Sequence, residues 1–165
     1  MMGYGFKMTL RHRRALFVQH RTSLAFLALY SVIMAALTSP LLHTGIRTST
    51  VWPENDPAQP IWALAFVAHA SNWFHHGGPL FSDAVYFPHG LNLLANTTSF
   101  GLAVLFIPVT LLLGPLGSFN LIMFLGPILS GAAMMWSLRR HVTSSVFRGL
   151  AGLVWGFSPL TLEAF

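Results

Sequence analysis

The sequence predicts an all-α integral membrane protein with three transmembrane helices and a long extracytoplasmic first loop that carries interfacial helices. Three observations lead there. Of the 165 residues, 54% are hydrophobic and only 8% charged, whereas soluble domains carry roughly 25% charged residues. Apolar runs near the membrane-crossing length of about 20 residues recur along the chain. Lysine and arginine stand at the ends of those runs, where cytoplasmic flanks hold them. The formal net charge of +5 is therefore a topology signal, and no nucleic-acid partner is expected, since such proteins gather their basic residues on one soluble face. There is no cysteine, which removes disulfides, thiolate ligands and cysteine nucleophiles.

Residues 1–21 contain Lys7, Arg11, Arg13, Arg14 and Arg21 without an acid, as a cytoplasmic N-terminus would. The apolar run 22–42 follows as the first transmembrane helix. It exceeds the roughly 7–15-residue core of a signal peptide and has no small-x-small cleavage site, so an uncleaved helix is expected. Residues 43–118 form the extracytoplasmic loop. Within it, interfacial helices are expected at about 59–74 and at 100–113, the second being too short to cross and ending at Gly114-Pro115. A second span is placed at 119–138, a cytoplasmic loop with Arg139 and Arg140 at 139–145, and a third span at 146–165. On this topology Arg47 alone among the lysines and arginines lies outside. The apolar ending at Phe165 reads as a chain cut short, and the 165 residues by themselves are expected to be inactive.

The stretch Trp52–Leu94 holds three of the four acids and four of the eight histidines. Asp56-Pro57 reads as a helix start, because proline suits the first helical position and an aspartate can cap free amides. Asp56 has two readings, a helix cap and a site that binds a metal or accepts a proton at the membrane surface. Glu54 makes a loose acid-x-acid pair with it and is a weak metal candidate. Beyond Pro57, Ile61, Leu64, Ala65 and Ala68 recur at helical spacing beside Trp62, Phe66, Trp73 and Phe74, as in a helix lying in the interface. His69, His75, His76 and His89 lie close in sequence without a metal-binding spacing such as HExxH, and His69 suits orienting a ligand better than holding zinc. Trp62 offers an aromatic face to a sugar or lipid, or anchors the helix. Phe81–Phe87 is expected to be partly extended before a Pro88-His89-Gly90 turn. Asn96-Thr97-Thr98 matches the N-glycosylation pattern. Ser130, Gly131 and Ala132 are small enough for close helix packing.

Read together, DPAQ at 56–59, a tryptophan-rich helix with His69, and GPLFSDAVYFPHGLNLL resemble the first outer loop of bacterial polytopic GT-C glycosyltransferases. Those often read GDPxQ, then NPF, then PxGxNL. Asp56, Pro57 and Gln59 match the first motif, with Asn55 in place of the usual glycine. Pro79 and Phe81 loosely match the second, and Pro88, Gly90, Asn92 and Leu93 match the third. The later RRH and LAGLVWGFSP are similar to the second and third membrane helices of such enzymes, including the catalytic subunit of oligosaccharyltransferase. The resemblance implies the N-terminal part of a GT-C-like fold in the inner (plasma) membrane. It implies transfer of a sugar from a polyprenyl-phosphate donor to an acceptor at the outer surface. Asp56 is then the general base or metal-associated acid, and Arg47, Gln59, Trp62, His69 and Asn92 are substrate-binding candidates. The cofactor it allows is a divalent cation, Mg2+ or Mn2+. The competing reading is a non-enzymatic membrane module, a transporter fragment or an assembly subunit, in which Asp56 and the histidines serve packing or proton relay.

Overall fold

The computed structural model describes residues 3–50, 57–69, 80–83, 86–93, 100–159 and 162, the side chains of 3–18 and 42 excepted. It is mostly helical. In chain order the elements are α1 (Gly3–Leu37), α2 (Pro40–Thr44), α3 (Ala58–Ala68), β1 (Phe81–Ser82), β2 (Leu91–Asn92), α4 (Phe100–Leu105), α5 (Ile107–Ser137) and α6 (Ser145–Gly156). A 3-10 turn at Leu138–Arg140 closes α5. Two helical stretches, Gln19–Leu37 and Ile107–Arg140, are long and apolar enough to cross a membrane. The chain divides into two compact units, one made of Met1–Leu37 and Phe124–Phe165, the other of Thr38–Met123.

Helix α1 runs without proline or glycine from Phe6 to its end. It stops at Leu37, five residues before the expected end of the first span, because Pro40 has no amide to donate and its ring crowds the carbonyl one turn earlier. Pro40 instead starts α2, which ends at Gly45 with φ 91° and a bond from the Gly45 amide to the Leu41 carbonyl. Inside α1 the Ser23 and Ser31 hydroxyls donate to the carbonyls of Gln19 and Leu27 four residues earlier, which keeps them satisfied in an apolar helix.

Helix α5 is interrupted at Gly114, where φ 79° and ψ 166° leave the helical region. The piece before the break is one of two short segments that replace the single expected helix at 100–113; each is about 10 Å long at 1.5 Å per residue. The piece after it starts at Pro115, earlier than the expected 119, since proline is preorganised for the first helical position. From 115 to 137 it reaches about 34 Å, enough for a hydrocarbon core of about 30 Å. Thr110 and Ser118, both buried, span the break through a hydroxyl bond of 3.0 Å.

The third span expected at 146–165 is shorter in its regular part. Ser144 caps α6, accepting from the Phe147 amide at 3.5 Å, and the helix ends at Gly156, shortly before Pro159. In this first unit α1 packs on α6. Tyr30 and Met34 are fully buried. The Tyr30 hydroxyl donates to the Gly149 carbonyl at 2.5 Å, and its ring lies 6.2 Å from Phe26 and 5.7 Å from Phe157. A Cβ on Gly152 would sit 2.5 Å from the Gly131 carbonyl oxygen and from the Tyr30 hydroxyl, and one on Gly156 2.5 Å from the Pro127 carbonyl oxygen. Gly152 and Gly156 thus let the α5 backbone approach α6, and Gly131 answers them as the small-residue reading of 130–132 anticipates.

Candidate functional site

The residues singled out above fall in the second unit. Glu54 and Asp56 lie outside the described residues, as do His75, His76 and the span 94–99. The helix that follows Asp56 in sequence begins at Ala58, one residue before the expected 59. Pro57 is the N-cap residue, and its carbonyl accepts from the Ile61 amide at 3.1 Å.

Helix α3 ends at Ala68, not at 74. The cause is His69, whose ring Nδ1 donates to the Ala65 carbonyl at 2.7 Å, taking the place of the backbone amide that would continue the helix. The His69 amide turns to the Phe66 carbonyl at 3.3 Å instead. Because the carbonyl only accepts, Nδ1 carries the proton of this bond, and Nε2 lies on the other edge of the exposed ring. Ala63, Leu64, Phe66, Val67 and Ala68 are all buried, and α3 packs on α4. Burial on α3 thus extends beyond one narrow face. Trp62 is half-buried and stacked on Phe66 at 5.1 Å and 26°. Gln59 is half-buried on the first turn of the same helix.

Arg47 is exposed and donates through Nη2 to the Leu112 carbonyl at 3.0 Å, close to the Gly114 break. Asn120 holds its loop: Nδ2 donates to the carbonyls of Ile46 and Ser49, each at 2.8 Å. Asn120 is 1% exposed and was missed in the sequence, although an amide inside an otherwise apolar run signals a polar contact. The structure therefore places Arg47 against α5, while Gln59 and Trp62 lie on α3 and His69 caps its C-terminal end.

Asn92 is exposed at the end of β2, whose antiparallel partners are Phe81 opposite Asn92 and Ser82 opposite Leu91. The Leu93 amide adds a bond to the Leu80 carbonyl at 2.8 Å. The connection contains the expected turn, with the His89 and Gly90 amides both bonded to the Tyr86 carbonyl at 2.9 and 3.0 Å, Tyr86 at φ 62° and a cis Phe87–Pro88 bond. The pairing of the two motif segments was not legible in the sequence, because two-residue strands carry no alternation. Gly90, at φ 70°, lies under the Phe81 ring, which a Cβ would meet. Gly90→Ala is accordingly expected to loosen the hairpin by about 1–2 kcal/mol through its left-handed backbone alone, with more from the ring. Limited proteolysis should cut faster within residues 80–93, and an unchanged rate would show that the hairpin does not depend on Gly90.

Among the described residues no group of three or more histidines and acids comes together as a cation cage. A divalent ion at Asp56 and Glu54 would draw on residues outside that description. Compared with known proteins, the chain matches no family model, no curated protein and no solved structure.

Proposed function

We propose that the chain belongs to a multi-pass membrane glycosyltransferase of the GT-C kind, which moves a sugar from a polyprenyl-phosphate carrier to an acceptor at the outer membrane face. The observation that carries this reading is the hairpin. Phe81, from the segment likened to NPF, is paired with Asn92, from the segment likened to PxGxNL, and Gly90 of the latter is required by the ring of the former. Two motifs separated in sequence thus act as one structural element, as residues of one site would. In this reading Asp56, at the entrance of α3, takes the proton of the acceptor hydroxyl as it attacks the anomeric carbon, while positive charge offsets the departing phosphate. Arg47 supplies such charge, Trp62 offers a ring face on α3, and His69 a ring nitrogen at the end of that helix. Native membranes in which the protein is made should transfer labelled sugar from a polyprenyl-phosphate donor and lose that transfer when its gene is disrupted. No transfer with any such donor would remove the proposal.

The outer-face assignment has its own test. Single cysteines at positions 20, 75 and 142 should be, in order, protected, labelled and protected from an impermeant thiol reagent. Labelling at 142 would mean that residues 100–113 cross the membrane.

A further inference from the structure

A separate pocket of about 220 Å³ lies within the first unit, lined by Gln19, His20 and Ser23 of α1, Arg139 of the 3-10 turn and Arg148 of α6. Its chemistry is one-sided. Arg148 is only 2% exposed, and its Nε has no hydrogen-bond partner among the described residues. With the Gln19 amide turned so that its oxygen faces the guanidinium, that oxygen accepts from Nη1 at 3.2 Å and Nη2 at 2.5 Å. A carboxamide is neutral, so it satisfies hydrogens without offsetting the charge. No carboxylate among the described residues lines the pocket. The segments that form this unit contain eight lysines and arginines and a single acid, Glu163. A buried guanidinium without a counter-charge costs several kcal/mol.

We infer that this pocket binds a phosphate-bearing anion, either a lipid headgroup or a soluble phosphate. An arginine fork is suited to two phosphate oxygens at once, and Arg148 still has Nε to give. Arg139 brings a second guanidinium to the same space, and the His20 ring also lines it. Arg148 stands in the first turns of α6, whose free amides and dipole favour an anion at the same end. The volume is that of several waters at about 30 Å³ each, room enough for a phosphate group.

The intact chain in phosphatidylcholine nanodiscs, titrated with inorganic phosphate or by adding phosphatidylglycerol, provides the test, read by thermal stability and by native mass spectrometry of retained lipid. Stabilisation by phosphatidylglycerol alone assigns the site to a lipid headgroup; stabilisation by inorganic phosphate assigns it to a soluble phosphate. Arg139→Gln, at an exposed position, should weaken either effect about tenfold while leaving the melting temperature in pure phosphatidylcholine unchanged. Arg148→Lys keeps the charge but loses the fork and should weaken it as well. Arg140→Gln removes the same charge next door, outside the pocket lining, and should have little effect. No response to either probe, or an equal loss in Arg139→Gln and Arg140→Gln, would overturn the inference.

Discussion

Asp56→Asn is expected to lower sugar transfer by about 10²–10⁴-fold in membranes containing the whole protein, the range for losing a general base. Glu54→Gln, Asp83→Asn and the substitution of any histidine should cost less. Asp56 immediately precedes Pro57, the N-cap residue of α3. Asp83 lies just past β1, in a bend of the hairpin, and matches no position of the glycosyltransferase motifs. Asparagine keeps the size of aspartate and can still accept a hydrogen bond from a helix amide through its oxygen. It cannot take up a proton at the pH of the reaction. The substitution therefore separates catalysis from capping: a cap alone would leave turnover nearly intact. Near-normal transfer by Asp56→Asn together with loss in Asp83→Asn, measured at equal protein levels, would assign the base to the other acid.

Gly152→Leu is expected to destabilise the first unit by about 3 kcal/mol or more. Its Cβ would meet the Gly131 carbonyl oxygen and the Tyr30 hydroxyl, both at 2.5 Å. One of these is backbone, so the helices must separate, and overpacking of this kind costs about 1–3 kcal/mol before the rest of the side chain is counted. The sign is best read from a pair of alanine variants. Replacing a helical glycine by alanine gains roughly 0.5–1 kcal/mol of propensity. At Gly101 in α4 nothing lies within 4 Å of the new Cβ, so Gly101→Ala should be neutral or stabilising. At Gly152 the clash exceeds the propensity gain, and alanine should lower the melting temperature of the purified protein in detergent. Equal shifts in the two alanine variants would show that α5 and α6 do not meet at this residue.

What the amino-acid order determined by itself is local and short in range. Composition and the placement of Lys and Arg led to a mostly helical chain with long apolar helices, because both depend only on how residues partition between water and hydrocarbon. Proline and glycine marked the break at Gly114-Pro115, since their effect acts within one turn of backbone, whereas the expected spans 22–42 and 146–165 ran through Pro40 and Pro159, before which the helices end at Leu37 and Gly156. Even there the exact ends moved: α3 closes at His69 because an imidazole captures a carbonyl, a choice that composition does not reveal. The tertiary structure decided what depends on distant partners. The Tyr30 hydroxyl reaches a carbonyl 119 positions away, Asn120 fastens a loop more than 70 positions earlier, and Phe81 finds Asn92 and Gly90 in a hairpin too short for any periodic signal. Arg148 belongs to the same class. In the sequence it is one more basic flank. In the fold, burial strips it of water and leaves Nε without a partner among the described residues, and the free energy of that buried charge, not its position in the chain, sets it apart.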